Sequence, residues 1–358
     1  MRTVPLSRYT SPEYLELEQR TVFSRAWLMA APACRLAAPG DYTVVDIAGV
    51  SVVALRDLEG TLRAYRNTCR HRGTELLSGS GNVRAIRCPY HDWKYSLDGR
   101  LRHVPDEGRF EPLEKGALGL HPVAVEAACG QIWVNLLPEP PPLLPSLAGI
   151  HEEVAPYALH EMVPVDEHWQ RIPCNWKALL DNATESYHIP RVHGMSVGQH
   201  VDTRPEFLRY GDHTRLTLPI AHYGFREALD RLTARGGPYT DKQLGVLHKY
   251  VIFPNFLMNV LPYHLTIFQV WPDGPDACRF FYGFYERRGA AGLEWLRVRA
   301  TWAASRWIWR EDDAIVRRFQ AGARSGLGTD AQRYHEDEAA LAHFHDVLQR
   351  YTAEAGSP

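Results

Sequence analysis

The 358-residue chain is 45% apolar and 23% charged, the balance of a globular protein with room for two domains. Its 40 basic and 42 acidic residues give a formal net charge of -2, which excludes the positive field that holds a nucleic-acid backbone. No stretch approaches the ~20 consecutive apolar residues of a membrane span, and the polar start MRTVPLSRYT does not read as a secretory leader, so a cytoplasmic protein is expected.

Ser11-Pro12-Glu13 has the form of a helix N-cap with proline at the first helical position, and Tyr14, Leu17, Val22, Phe23 and Trp27 supply apolar residues behind it. From Gly40 the pattern changes to short β-branched runs, Tyr42 to Leu55, with turn signals at Leu58-Glu59-Gly60, Ser78 to Asn82 and Leu97-Asp98-Gly99. A small antiparallel sheet domain closing with the strand Gly130 to Leu136 is predicted. Pro138 to Pro142, with Pro145 after it, forms a stiff connection that places a domain boundary there. Beyond it the chain predicts a helix over Trp176 to His188 and strands over Leu247 to Phe253, Leu265 to Trp271 and Phe280 to Tyr285. A further helix is predicted over Glu294 to Trp309, with Trp295, Trp302 and Trp309 on one core-facing stripe.

Six cysteines are present, and two of them stand beside histidines, in Cys69-Arg70-His71 and Cys88-Pro89-Tyr90-His91. A structural zinc site normally pairs C-x₂₋₄-C with H-x₃₋₅-H, whereas here each segment contributes one thiol and one imidazole. Two thiolates on one iron and two imidazoles on the other define a Rieske [2Fe-2S] centre. Cys34, Cys129, Cys174 and Cys278 lack a histidine at such spacing and read as packing residues.

A second constellation follows the boundary. Glu185 and His188 are three apart and would share a helical face, and Pro190 would bend the chain so that His193 returns toward His188. Two imidazoles and a carboxylate suit a mononuclear Fe(II) that keeps open positions for O₂. The carboxylate is sought in Arg310-Glu311-Asp312-Asp313, where spacing alone does not separate the three acids. Asn182 and Tyr187 lie close enough in sequence to orient ligands or O₂.

Through these motifs the chain resembles the α (oxygenase) subunits of Rieske-type ring-hydroxylating oxygenases over nearly its whole length. The resemblance rests on Cys69, His71, Cys88 and His91, on Asn175-Trp176-Lys177, on His188 and His193, and on Glu-Asp-x-x-Ile, which implies Asp312 as the carboxylate ligand. It implies an α+β protein with an N-terminal all-β Rieske domain and a C-terminal helix-grip (START-like) catalytic domain on an antiparallel sheet. The implied division is residues 1–37, a helical segment packing on the catalytic domain, then 38–150 and 151–358. Glu185 takes the position of the acid that links the two metal centres between subunits of a head-to-tail trimer, where aromatic-ring dioxygenases often have aspartate.

The length favours a homotrimer over an α₃β₃ assembly. Lacking a G-x-G-x-x-G fingerprint and a plant-type ferredoxin cysteine set, the chain is expected to draw NAD(P)H-derived electrons from a separate reductase, with or without a ferredoxin. The expected reaction is O₂-dependent mono- or dihydroxylation of an aromatic or hydrophobic small molecule. Walls from Leu218, Phe225, Val251, Phe253, Phe256, Leu257, Val260, Ile267 and Phe268 would hold it by shape, with Asn259 or His264 as polar candidates. The alternative is N- or O-demethylation, including oxygenation of a quaternary amine. A simple Rieske electron carrier is disfavoured by the second domain and its histidine pair.

Overall fold

The computed structural model describes residues 3–196, 198, 205–219, 245–326 and 330–353. The chain divides into two compact units, Phe23–Pro145 and a second made of Met1–Val22 with Ser146–Pro358.

In the first unit, strands β1 (Leu28–Pro32), β2 (Asp41–Ile47), β3 (Val50–Arg56), β4 (Leu62–Arg66), β5 (Ser80–Asn82), β9 (Pro122–Ala128) and β10 (Gln131–Asn135) form one antiparallel sheet in the order β1-β10-β9-β4-β3-β2-β5. The short strands β6 (Ile86–Arg87), β7 (Lys94–Tyr95) and β8 (Leu101–His103) make a second sheet. The expected start near residue 38 is therefore too late, because β1 is already hydrogen-bonded to β10, Leu28 opposite Val134. Turns fall where the glycines predict them. Gly99 sits at φ +85°, and a Cβ there would come within 2.6 Å of the Tyr65 ring, so glycine is required twice over.

The second unit opens with helix α1 (Pro12–Glu18), capped by the Ser11 hydroxyl accepting from the Tyr14 N–H at 3.0 Å. Helix α2 (Leu143–Val154) straddles the division, which falls at Pro145/Ser146 instead of the expected 150/151. The body of the unit is a seven-stranded antiparallel sheet in the order β11-β17-β16-β15-β14-β13-β12. Its strands are β11 (Met162–Ile172), β12 (Glu206–Tyr210), β13 (His213–Pro219), β14 (Val246–Ile252), β15 (Phe256–Val260), β16 (His264–Pro272) and β17 (Cys278–Arg287). Among the described residues it also carries helices α3 (Trp176–Thr184), α4 (Ile189–Val192), α5 (Gly292–Ser325) and α6 (Ala339–Ala353). Among the described residues no helix is long and apolar enough to cross a membrane.

Strand alternation separates the two faces of this sheet. Tyr250 and Arg215 reach Glu153 of α2 on one face, at 3.1 Å for Tyr250. On the other face Phe280 stacks on Trp309 of α5 at 4.3 Å, and Tyr282 is bonded to Ser305 at 2.7 Å. The expected pocket residues split accordingly. Leu218, Val251, Leu257 and Phe268 share the α5 side, while Phe256, Val260 and Ile267 point to the opposite side and are core. Phe225 lies outside the described residues.

The tryptophan stripe is less buried than predicted. Trp295 is 43% exposed, and Trp302 and Trp309 lie across the edge strand β11, donating to Asp166 at 3.0 Å and Gln170 at 3.2 Å. Being amphipathic, these rings satisfy their N–H groups on polar strand residues instead of sinking into the core.

Beneath α3 lies a buried ion pair. Lys177 meets Glu18 at 2.8 Å with both side chains shut off from water, and Trp176 donates to the same carboxylate at 2.8 Å. Asn175 caps α3 by accepting from the Lys177 N–H. The Asn-Trp-Lys stretch thus anchors the helix from which the chain runs on to Glu185. Removing one partner of such a pair leaves an uncompensated charge, a cost of about 3–5 kcal/mol.

Candidate metal centres

In the first unit, the loop carrying Cys69 and His71 is closed by the Cys69 N–H donating to Thr74 at 2.8 Å and the Gly73 N–H donating to Cys69 at 3.0 Å. The second loop is the turn of the β6–β7 hairpin, with the Cys88 N–H donating to Trp93 at 2.9 Å and the Asp92 N–H to Cys88 at 3.1 Å. Asp92 holds a left-handed φ of +56° there, and its carboxylate is gripped by Arg87 at 2.8 and 2.9 Å. Both cysteines are buried in the apolar core with Ile86, Trp93 and Tyr95. Burial pushes the Cys69 thiol up, and the adjacent Cys88 adds to the rise.

The two imidazoles face each other with ring centroids 4.7 Å apart, His71 stacked on Trp93 and His91 on Tyr90. Their Nδ1 atoms are buried with no hydrogen-bond partner. Paired thiols, paired imidazoles and two orphaned ring nitrogens are what a cluster bound by two cysteines and two histidines requires. Tyr95 is a contributor that no motif reveals. Its hydroxyl lies 3.4 Å from the Cys69 sulfur and accepts the Arg70 N–H at 3.0 Å, contacts made by a lone tyrosine whose sequence context carries no signal.

In the second unit, the local route to the site differs from the helical expectation. Helix α3 ends at Thr184, and Glu185 is extended at φ -118°, ψ 178°. Pro190 stands in the first turn of α4, where a missing N–H is tolerated, and a turn precedes it with the Ile189 N–H donating to Ser186 at 3.1 Å. Glu185 and His188 therefore meet across this turn and not along a helical face. Glu185 accepts the His188 backbone N–H at 3.2 Å and also pairs with its Nδ1.

His188, His193 and Asp312 converge, with one ligand atom from each lying within 4.8 Å of the others. Asp312 Oδ1 is 3.1 Å from His193 Nε2 and 3.7 Å from His188 Nε2. Ligand atoms at right angles on an ion about 2.1 Å away would stand about 3.0 Å apart, so small adjustments suffice for a facial set. Asn182 donates to the same Oδ1 at 2.8 Å, fixing the carboxylate. Tyr187 does not share this role, since it turns outward, 54% exposed, and stacks on His335 at 4.5 Å.

The three acids of the run take separate places. Asp312 faces the histidines, Asp313 pairs with Arg317 at 2.8 Å, and Glu311 takes His193 Nδ1 at 2.8 Å. Each iron histidine thus has a glutamate behind it, Glu185 for His188 and Glu311 for His193. This arrangement fixes the tautomer that presents Nε2 to a metal. Burial raises the Glu311 carboxyl, but hydrogen bonds from Ser196 at 2.7 Å, from His193 and from Trp307 at 3.1 Å outweigh it and hold the group below its ordinary range. Burial works against a charged His193, yet Asp312 and Glu311 prevail and raise its pKa. The same two carboxylates would favour a metal cation at that ring. Glu311→Ala is expected to weaken Fe(II) binding about 10–100-fold, measured by anaerobic competition with a chelator, while cluster content stays unchanged.

Residues 26–122 match the Rieske [2Fe-2S] domain, and residues 152–354 match the catalytic domain of the ring-hydroxylating α subunit. The chain belongs to the Rieske non-haem iron oxygenases. It is a Rieske-type oxygenase subunit with a [2Fe-2S] domain and a His/His/Asp trio suited to mononuclear Fe(II).

Among curated relatives of this oxygenase, the carnitine monooxygenase oxygenase subunit of Escherichia coli K12 is 28% identical over 97% of this chain and 92% of its own length. The glycine betaine monooxygenase oxygenase subunit of Chromohalobacter salexigens is 30% identical over 76% of this chain and 68% of its own. Among solved structures, the quaternary ammonium Rieske monooxygenase CntA with L-carnitine aligns at a TM-score of 0.82 and 24% identity, covering 98% of this chain and 95% of that one. Naphthalene 1,2-dioxygenase from Rhodococcus sp. bound to indole gives 0.84 at 22% identity, covering 99% and 95%. The shared fold does not separate amine from ring chemistry, whereas the carnitine monooxygenase subunit is matched along nearly the whole chain.

Proposed function

We propose that this oxygenase hydroxylates a C–H bond beside the nitrogen of a small alkylammonium substrate. The observation that carries this reading is the match along 97% of the chain to an oxygenase acting on carnitine, joined to a site with the full ligand set. The glutamate at position 185, where ring dioxygenases often have aspartate, points the same way. In balance, substrate C–H, O₂, two electrons and two protons give C–OH and water, and a carbinol on nitrogen then collapses to an amine and an aldehyde. The electrons come from a separate reductase, directly or through a ferredoxin.

Cys69, Cys88, His71 and His91 would hold the cluster, and His188, His193 and Asp312 the ferrous ion. When bound, the cluster supplies single electrons and the ion a place for O₂ to be reduced. Asn182 holds Asp312 Oδ1 in place, and Glu185 and Glu311 keep both histidines in one tautomer. A homotrimer, in which Glu185 meets His91 of the partner subunit, belongs to this reading, as does a helix-grip description of the sheet with α3 and α5.

The test supplies the loaded oxygenase with a surrogate reductase and a panel of N-methylated amines and aromatic compounds, and assays products and formaldehyde together. Aldehyde or amine release coupled to O₂ uptake is expected. Ring diols or phenols, with no attack on any amine, would transfer the reading to aromatic hydroxylation.

A further inference from the structure

Lysine is seldom fully buried without a counter-charge, yet Lys249, in the middle of β14, is only 8% exposed. Among the described residues its ammonium makes no hydrogen bond and no ion pair. Its neighbour Tyr250 points to the α2 face, so Lys249 occupies the α5 face, the side on which Tyr282 meets Ser305 of the helix carrying Asp312.

Two further polar atoms on this face lack partners. Asn259 stands directly opposite Lys249 in the β14–β15 register, and its Oδ1 is buried and unbonded. Thr214, opposite Val251 and so diagonal to Lys249, has a buried and unbonded Oγ1. Around them lie the apolar side chains of Leu216, Val251 and Leu257. Burial lowers the Lys249 pKa, and among the described residues the carboxylates of Glu185 and Asp312 oppose that. A lysine left in an apolar wall with no hydrogen bond or ion pair costs a fold stability, and a ligand that supplies the missing acceptor would complete it.

We propose that Lys249 is the anion anchor of the substrate pocket, with Thr214 and Asn259 beside it, and that the substrate carries a carboxylate at the end remote from the carbon that is oxidised. A carboxylate oxygen would accept from the ammonium and from the Thr214 hydroxyl, and the Asn259 amide can turn its N–H₂ toward it. Held there, the substrate would present its other end toward His188, His193 and Asp312. This inference rests on the oxygenase reading of the site but not on the substrate being an amine.

The experiment measures anaerobic binding to the cluster- and iron-loaded enzyme by calorimetry. The probes are glycine betaine, L-carnitine, γ-butyrobetaine and 4-methoxybenzoate, each beside its methyl ester. At least one acid is expected to bind the wild type ~30-fold or more tightly than its ester, and Lys249→Met to abolish that preference while leaving the ester's affinity unchanged. Methionine is close in volume and needs no counter-charge, so the variant should melt no lower than the wild type. If it does not load iron, Lys249→Gln carries the same comparison. Acids and esters binding equally, no acid binding, or a preference that survives the substitution would overturn the anchor. Product analysis separates the two readings. Ring attack on an anchored aryl carboxylate would sink the amine assignment alone, and demethylation of alkylammonium compounds that lack a carboxylate, with no preference for the acids, would sink the anchor alone.

Discussion

Asp312→Ala is expected to empty the mononuclear site while the visible spectrum of the N-terminal cluster remains that of the wild type. Iron should fall from about three to about two per chain, because a Rieske centre accounts for two. The geometry offers no substitute ligand among the neighbouring acids, since Glu311 is committed to His193, Ser196 and Trp307, and Asp313 to Arg317. The loss removes one ligand of three together with its negative charge, and leaves the Asn182 amide without its acceptor. Removing an outer partner of a metal ligand already costs about 10–100-fold in affinity, so losing the ligand itself should exceed ~100-fold, and product formation should fall at least as far. Iron and acid-labile sulfide, measured separately on one sample, decide it. A variant that keeps its third iron would reassign the carboxylate.

The parts of these sites that are local in sequence are legible in it. Each cluster loop carries its thiol and imidazole within four residues, so spacing alone exposes them. His188 and His193 are likewise near neighbours. What spacing does not settle is the third ligand, because α5 is 34 residues long and presents Glu311, Asp312 and Asp313 at successive rotations of about 100°. Only the docking of that helix on β11 and β17 selects which acid faces the histidines. The same helix explains why the tryptophans depart from expectation. Their regular spacing is real, but the surface they meet is the polar edge strand with Asp166 and Gln170. The helix expected to run to His188 stops at Thr184, where Glu185 turns extended, and a turn closed by the Ile189 N–H on Ser186 brings Glu185 onto His188 before Pro190 enters the first turn of α4. Lys249 carries no signal in the sequence. A single lysine in an apolar strand reads as an outward-facing residue until the register shows which side it takes.

Substitution of Glu185 by glutamine should leave both metal centres loaded and lower steady-state turnover about 100-fold, the same order as other outer-partner losses. The carboxylate now accepts two bonds from His188, one from the backbone N–H at 3.2 Å and one at Nδ1. Glutamine keeps one acceptor oxygen for the ring, so His188 retains its tautomer and Fe(II) is held at saturating concentration. What disappears is the negative charge, which is buried to 6% exposure and stabilises any proton or positive charge that moves along the Glu185–His188 contact. Alanine is the less informative variant, since it removes the acceptor and loosens the ligand as well. Aspartate restores the charge on an arm one methylene shorter and should recover part of the lost rate. A role limited to orienting His188 predicts instead that glutamine outperforms aspartate. Iron content, cluster absorbance and product per minute across wild type, Gln, Asp and Ala therefore discriminate charge from orientation. Wild-type turnover in a fully loaded Glu185→Gln enzyme would show that the charge has no part in coupling.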